Sequence, residues 1–289
     1  MRILITNDDG IDAEGIGVLA RTFATGVADD GHEVVVVAPD RDWSGAGAAL
    51  GTLRPDVLVE ARAVEIPGLD AAAYAVGGPP GMCVLSARLG AFGAPPDLVV
   101  SGVNIGLNTG RAILHSGTVG AALTAQNFGF SGLAVSVQSA DPRFDTAAQI
   151  ALELLPLLLA APERSVLNLN VPGRARADVR GVRWAKLAPF GEVRAAVAST
   201  TDTHLQFELR MNEVDFDDDT DEGLVRDGYA AVTALVGIAE AWPRDDEGEL
   251  ASGDVESRLV PGAPVEAVEG LASPVLRRPL LSAGVPPER

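Results

Sequence analysis

MRILITNDDGIDAEGI, residues 1–16, holds the junction on which the fold reading turns. An apolar strand, Arg2 to Thr6, runs directly into Asn7, Asp8, Asp9 and Gly10, and a helical pattern follows from about Ala13. In open α/β sheets, ligands bind outside the carboxyl ends of the strands. Two adjacent carboxylates at such an end form a hard-oxygen site, suited to Mg²⁺, Mn²⁺ or Ca²⁺ rather than to zinc. Taken alone, the same residues also read as a turn that caps the following helix.

Outward from this junction the chain alternates strand and helix. EVVVVA, residues 33–38, is a continuous apolar run of the kind found in buried parallel strands, and Pro39 closes it. Short strands or irregular structure are expected over 52–76, and a helix over about Met82 to Leu89. DLVVS, residues 97–101, is a strand that opens the loop GVNIGLNTGRAILHSG. A helix from about Thr118 to Phe128, a strand at Leu133 to Val137, a long helix at Thr146 to Leu159 and a strand at Ser165 to Asn170 follow. This alternation predicts a doubly wound, mostly parallel α/β sheet with right-handed crossovers. The organisation expected is a core over 1–173, a β-rich extension concerned with oligomerisation over 174–241, and a Pro/Gly-rich tail over 242–289.

Composition narrows the function classes. The chain has 289 residues and a formal charge of −18, and Lys186 is its single lysine. This balance argues against a nucleic-acid duplex as partner, which needs a basic footprint. It also means that any phosphate substrate needs its repulsion offset, and a bound divalent cation does that economically. There is no apolar run of about 18 residues, so no membrane span is expected. The N-terminus enters a strand with no leader pattern, so a cytoplasmic location is expected. Cys83 is the single cysteine and reads as a buried structural thiol.

Three strands each deliver a polar loop at the carboxyl end. The first carries Asn7, Asp8 and Asp9, the second Asp40, Arg41, Asp42 and Ser44, and the third Asn104 and Asn108. Two aspartates with a hydroxyl and an amide oxygen make an oxygen-only site with room for water, which fits Mg²⁺ or Mn²⁺. The third loop ends in His115-Ser116-Gly117-Thr118 before a helix. Small, hydroxylic residues at a helix N-terminus make an anion site, and they also make ordinary N-caps. Metal and anion sites together suggest phosphate ester hydrolysis. His115 is a candidate proton donor or substrate contact, and Arg111 a candidate phosphate fork.

ITNDDGIDAEGI, VVAPDRDWSGAG, PDLVVSGVNIGLNTG and HSGTVGAAL resemble, in order and spacing, the signature blocks of the SurE family. LNLNVP (167–172) and DTDEGLVRDGYAAVTAL (219–235) agree with it more weakly. The resemblance implies a Rossmann-like core with an added C-terminal β region, and a dimer or tetramer held partly by swapped C-terminal arms. It implies a metal-dependent nucleotidase or phosphatase acting on nucleoside 5′- and 3′-monophosphates through a metal-activated water. Asp8 and Asp9 are then the catalytic acids. Asp8, Asp9, Ser44 and Asn104 hold one Mg²⁺ or Mn²⁺ per subunit. Ser116, Gly117 and Thr118 hold the phosphate, with Asn108 nearby.

Departures from the family pattern fall on the substrate side. Gly78-Pro79-Pro80-Gly81-Met82-Cys83 stands where Gly-Thr-Pro-Ala-Asp-Cys is usual, Arg111-Ala112 replaces an acidic pair, and His115 replaces a tyrosine. A non-nucleotide phosphate ester as substrate, or a non-catalytic binder of nucleotide or phosphate, are the alternatives. The run Asp215 to Glu222 reads as a solvated loop entering a helix, because Thr220 stands where an EF-hand needs glycine. Gly45 to Leu50 fails as a dinucleotide fingerprint at its sixth position.

Overall fold

The computed structural model describes residues 1–191, 193–201, 203–211 and 215–238. The tail expected over 242–289 lies outside the described residues. Strand β1 (Arg2–Thr6) is central to the sheet, and β2 (Glu33–Pro39) pairs with it in parallel. Beyond β2 lie β4 (Ala73–Val76), parallel, and β3 (Ala61–Val64), antiparallel at the edge. On the other side of β1 come β5 (Leu98–Ile105), β6 (Ser131–Val137) and β7 (Val166–Val171), all parallel. The sheet is completed by β11 (Ala230–Leu235), antiparallel to β7, and by β8 (Val182–Trp184). The order is β3-β4-β2-β1-β5-β6-β7-β11-β8. The mostly parallel, Rossmann-like α/β architecture is thus the one expected.

Burial on both faces explains why these strands read as apolar runs. Ile3 and Ile5 of β1 face a core with Ile16, Leu19 and Phe23 of α1 (Glu14–Gly26) and Ala147, Ile150 and Ala151 of α4 (Phe144–Glu153). Leu4, between them, faces Met82, Cys83 and Val84 of α2 (Pro80–Arg88) and Ala121 and Ala125 of α3 (Gly117–Asn127). The alternation along one strand therefore feeds two helix layers.

Two segments differ from the sequence expectation. The helix expected over 146–159 is two, α4 and α5 (Leu155–Ala160), because Pro156 sits in the first turn of the second. β5 runs past Ser101 to Ile105 through an irregularity between Ser101 and Asn104, so Asn104 ends a strand rather than lying in a loop. Beyond residue 173, β8 and β11 belong to the main sheet, and Met1–Gly237 forms one compact unit. β9 (Val193–Thr200) and β10 (Leu205–Met211) form a separate antiparallel hairpin with Val197, Leu205 and Phe207 exposed. Among the described residues no helix is long and apolar enough to cross a membrane.

Candidate active site

The chain winds from β1 outward to β2 and β4, then restarts beside β1 with β5 and continues the other way. The carboxyl ends of β1 and β5 are therefore the topological switch point, where a ligand crevice forms. Asp8 and Asp9 follow β1 immediately, and Asn104 lies near the end of β5. Asn7, fully buried, ties the turn by donating its side-chain N–H to the carbonyl of Gly10 at 2.8 Å.

Asp8 is 3% exposed. Its Oδ1 accepts the hydroxyl of Thr118 at 2.5 Å. Burial raises its pKa, while that hydroxyl and the amides of Asp8, Thr118 and Gly117 pull it back down. A Cβ on Gly117 would stand 2.6 Å from Cβ and Oδ2 of Asp8, so only glycine lets the first turn of α3 close on this carboxylate. The N-terminus of α3 is thus already turned on an anion, the side chain of Asp8. Asp9 is half-buried beside it. Burial, then Asp8, then Asp42, push the Asp9 pKa up to about 7.

The second loop closes on the first through its backbone. Trp43 N–H donates to the carbonyl of Asp8 at 2.8 Å. The next residue, Ser44, is exposed, and it donates both its N–H (2.7 Å) and its hydroxyl (2.6 Å) to Oδ1 of Asp42. The same loop reaches α3. Gly47 N–H donates to the carbonyl of His115, and a Cβ on Gly120 would stand 2.2 Å from the carbonyl oxygen of Gly47. Asn104 turns its amide N–H groups back onto the carbonyls of Ile105 and Gly106, and neither bond uses Oδ1. The loop that carries Ser44 is therefore tied to the Asp8–Asp9 turn through the backbone of Trp43, and Asn104 reaches the same sheet edge through β5.

The phosphate-side candidates divide. Ser116 is the N-cap of α3, its Oγ accepting from Val119 N–H at 3.1 Å, a bond that does not use its own O–H. The proton of Thr118 is committed to Asp8. Asn108 is turned into the sheet: it donates to Oγ of Ser136, and Asn168 and Asn170 both donate to its carbonyl. Arg111 and His115 are exposed on the 3-10 turn Gly110–His115, and among the described residues Arg111 makes no ion pair.

Sequence reasoning missed two acids that hold this turn. Asp221 and Glu222 are 0% and 1% exposed, whereas only Asp215, Asp217, Asp218 and Asp219 of the acidic run face solvent. Asp221 accepts from Gly110 N–H (2.8 Å), Ala188 N–H (2.8 Å) and Glu222 N–H (3.0 Å). Glu222 accepts the hydroxyl of Thr109 at 2.7 Å. Thr220 caps α6 (Asp221–Arg226) by accepting from Gly223 N–H, and what buries the two acids after it is the distant Thr109, Gly110 and Ala188. Cys83 is buried as expected, and burial pushes its thiol far above the ordinary value.

Among the described residues no group of three or more His, Cys, Asp or Glu is placed to hold a metal. Any cation here depends on Asp8 and Asp9 with neutral oxygen donors. A family model described as Survival protein SurE matches residues 3–191. Relatives named 5'-nucleotidase SurE, from Xanthomonas oryzae pv. oryzae (strain PXO99A) and Xanthomonas campestris pv. campestris (strain B100), are each 43% identical over 192 residues, covering 65% of this chain and 70% of theirs. Among solved structures, the SurE protein from Aquifex aeolicus superposes with a TM-score of 0.67 at 27% identity, covering 83% of this chain and 95% of that one. A switch-point carboxylate pair on a mostly parallel sheet and a family match across most of the core agree: the chain belongs to the SurE family.

Proposed function

We propose that the chain is a divalent-metal-dependent phosphomonoesterase that hydrolyses nucleoside monophosphates. The reading rests on one observation above the others. Two adjacent carboxylates, Asp8 buried and Asp9 half-buried, stand at the switch point, where burial first and then the charges of Asp8 and Asp42 push Asp9 up to about 7. A cation relieves that repulsion. The donors fit Mg²⁺ or Mn²⁺: Asp8 and Asp9, the hydroxyl of Ser44 and Oδ1 of Asn104 are all hard oxygens, and few carboxylates with several waters is the usual set. The relatives named 5'-nucleotidase point to nucleoside 5′-monophosphates as substrate.

A cation bound there would polarise a phosphoryl oxygen and favour water as nucleophile. The chain's own residues supply the rest. Thr118 fixes the orientation of Asp8, which in turn orients the attacking water. The O–H of Ser116 donates to a phosphate oxygen while its oxygen caps α3. The fork of Arg111 suits a second phosphate oxygen, and His115 stands on the rim as proton donor to the leaving alkoxide. An assembly of two or four copies would cover the exposed Val197, Leu205 and Phe207 of the hairpin.

Release of p-nitrophenol from p-nitrophenyl phosphate tests the chemistry. Turnover with Mn²⁺ and none with EDTA is expected. No turnover with any metal, while nucleotides still shift the melting temperature, makes the chain a binding protein instead.

Asp9 sets a pH dependence. Its folded pKa of about 7 lies above the ordinary 3.8, so this group favours the metal-free fold most at low pH and loses that contribution as pH rises through 7. Below about 7 a cation must displace its proton. Calorimetry of Mn²⁺ binding in buffers of different protonation enthalpy should show about one proton released at ~pH 6 and almost none at ~pH 8.5. Equal proton release at the two pH values contradicts the assignment of Asp9 as a ligand.

A further inference from the structure

Asp42 acts on Asp9 as a nearby charge. Its geometry is more specific than that. One carboxylate oxygen, Oδ1, accepts both the N–H and the hydroxyl of Ser44, at 2.7 and 2.6 Å. The residue between them, Trp43, is held by its N–H on the carbonyl of Asp8. The turn is pressed further onto the first loop at Gly10, where an added Cβ would stand 3.0 Å from the backbone of Arg41. Asp42 and Ser44 thus sit on a backbone registered against the Asp8–Asp9 turn.

The consequence lies in the direction of the Ser44 proton. A hydroxyl can coordinate a cation only through its oxygen lone pairs, and a proton aimed at the cation opposes binding. Donation to Asp42 removes that proton from the oxygen's other side and raises the electron density left there. Both residues are exposed, so the pair adds little to the core.

We propose that Asp42 is a positioning residue for the cation site, acting through Ser44: it sets the hydroxyl rotor so that Oγ faces the Asp8–Asp9 carboxylates with lone pairs only. This rests on the metal reading given under Proposed function. It adds to that reading the residue that makes a neutral side chain a competent ligand.

The test is calorimetric titration of the metal-free full chain with Mn²⁺, which reads binding without turnover. The wild type, Asp42→Ala, Asp42→Asn, Ser44→Ala and the Asp42→Ala/Ser44→Ala pair are compared. Asp42→Ala is expected to weaken binding by about tenfold, the lower end for residues that orient a metal ligand. Ser44→Ala should weaken it by a similar factor, and the double variant should be no weaker than Ser44→Ala alone. Asp42→Asn should stay within about threefold of wild type, because its amide oxygen still accepts from Ser44. Asp42→Ala binding like wild type overturns the proposal. So does Asp42→Asn as weak as Asp42→Ala, or a double variant in which the two losses multiply, since either makes Asp42 a charge rather than an orienting group. A wild type that binds no Mn²⁺ overturns the metal reading itself, a different failure from the others.

Discussion

Replacing Asp8 by Asn should lower kcat about a thousandfold, which corresponds to the several kcal/mol that Lewis-acid stabilisation contributes to such a reaction. The side chain is nearly isosteric, and its amide oxygen can still accept the hydroxyl of Thr118. What it removes is a buried negative charge. Because burial raises the Asp8 pKa, the ionised form costs the metal-free fold stability at neutral pH. The metal-free variant should therefore melt at the wild-type temperature or a few degrees above it. Activity and stability then move in opposite directions, as expected where a site holds charge for function rather than for folding. Steady-state phosphate release and a thermal melt in EDTA check both halves. Near-wild-type turnover removes Asp8 from the mechanism. Lost turnover with a melt lowered by more than about 5 °C assigns it a structural role instead.

Asp221→Ala should act in the other sense, on the fold first. The carboxylate satisfies three backbone N–H groups, those of Gly110, Ala188 and Glu222, in a fully buried setting. Truncation leaves these donors without a partner. At about 1–3 kcal/mol per buried unsatisfied group, partly relieved by relaxation, the expected loss is about 3–5 kcal/mol. For a unit of this size that lowers Tm by roughly 10 °C. Asp221→Asn should not rescue fully, since its NH₂ would oppose the N–H of Gly110 or of Ala188. Differential scanning calorimetry of the two variants is the check, and a Tm within about 2 °C of wild type for Asp221→Ala shows that the clamp is dispensable. Thr109 and Gly110 lead directly into the turn that carries Arg111 and His115, so residual activity should fall with the loss of order there.

The positions legible in the sequence are those where local pattern and tertiary role coincide. Arg2 to Thr6 reads as a buried strand because both of its faces are packed, and the polar residues after it can only be at its end. Ser116 reads as a cap because its hydroxyl has a local partner, Val119. The failures share a different cause. Asp221 and Glu222 follow a run of solvated acids and have the same composition, so only the distant residues Thr109, Gly110 and Ala188 distinguish them. The strand DLVVS reads as ending at Ser101 and Asn104 as part of the loop it opens, yet after a shift in register pairing to β6 resumes at Asn104. Thr118 reads as a phosphate donor, and no local feature reveals that its proton serves Asp8, which is 110 residues away in the chain. Long-range polar contacts of this kind leave no periodicity to read.

Phosphate release from a panel of nucleoside monophosphates and sugar phosphates, assayed with Mg²⁺, with Mn²⁺ and with EDTA, tests the hydrolytic centre most directly. Release from the nucleotides with either metal, abolished by EDTA, is the predicted result. Release only from non-nucleotide esters would keep the carboxylate site and overturn the substrate. No release with any metal would contradict the claim that Asp8 and Asp9 form a hydrolytic centre.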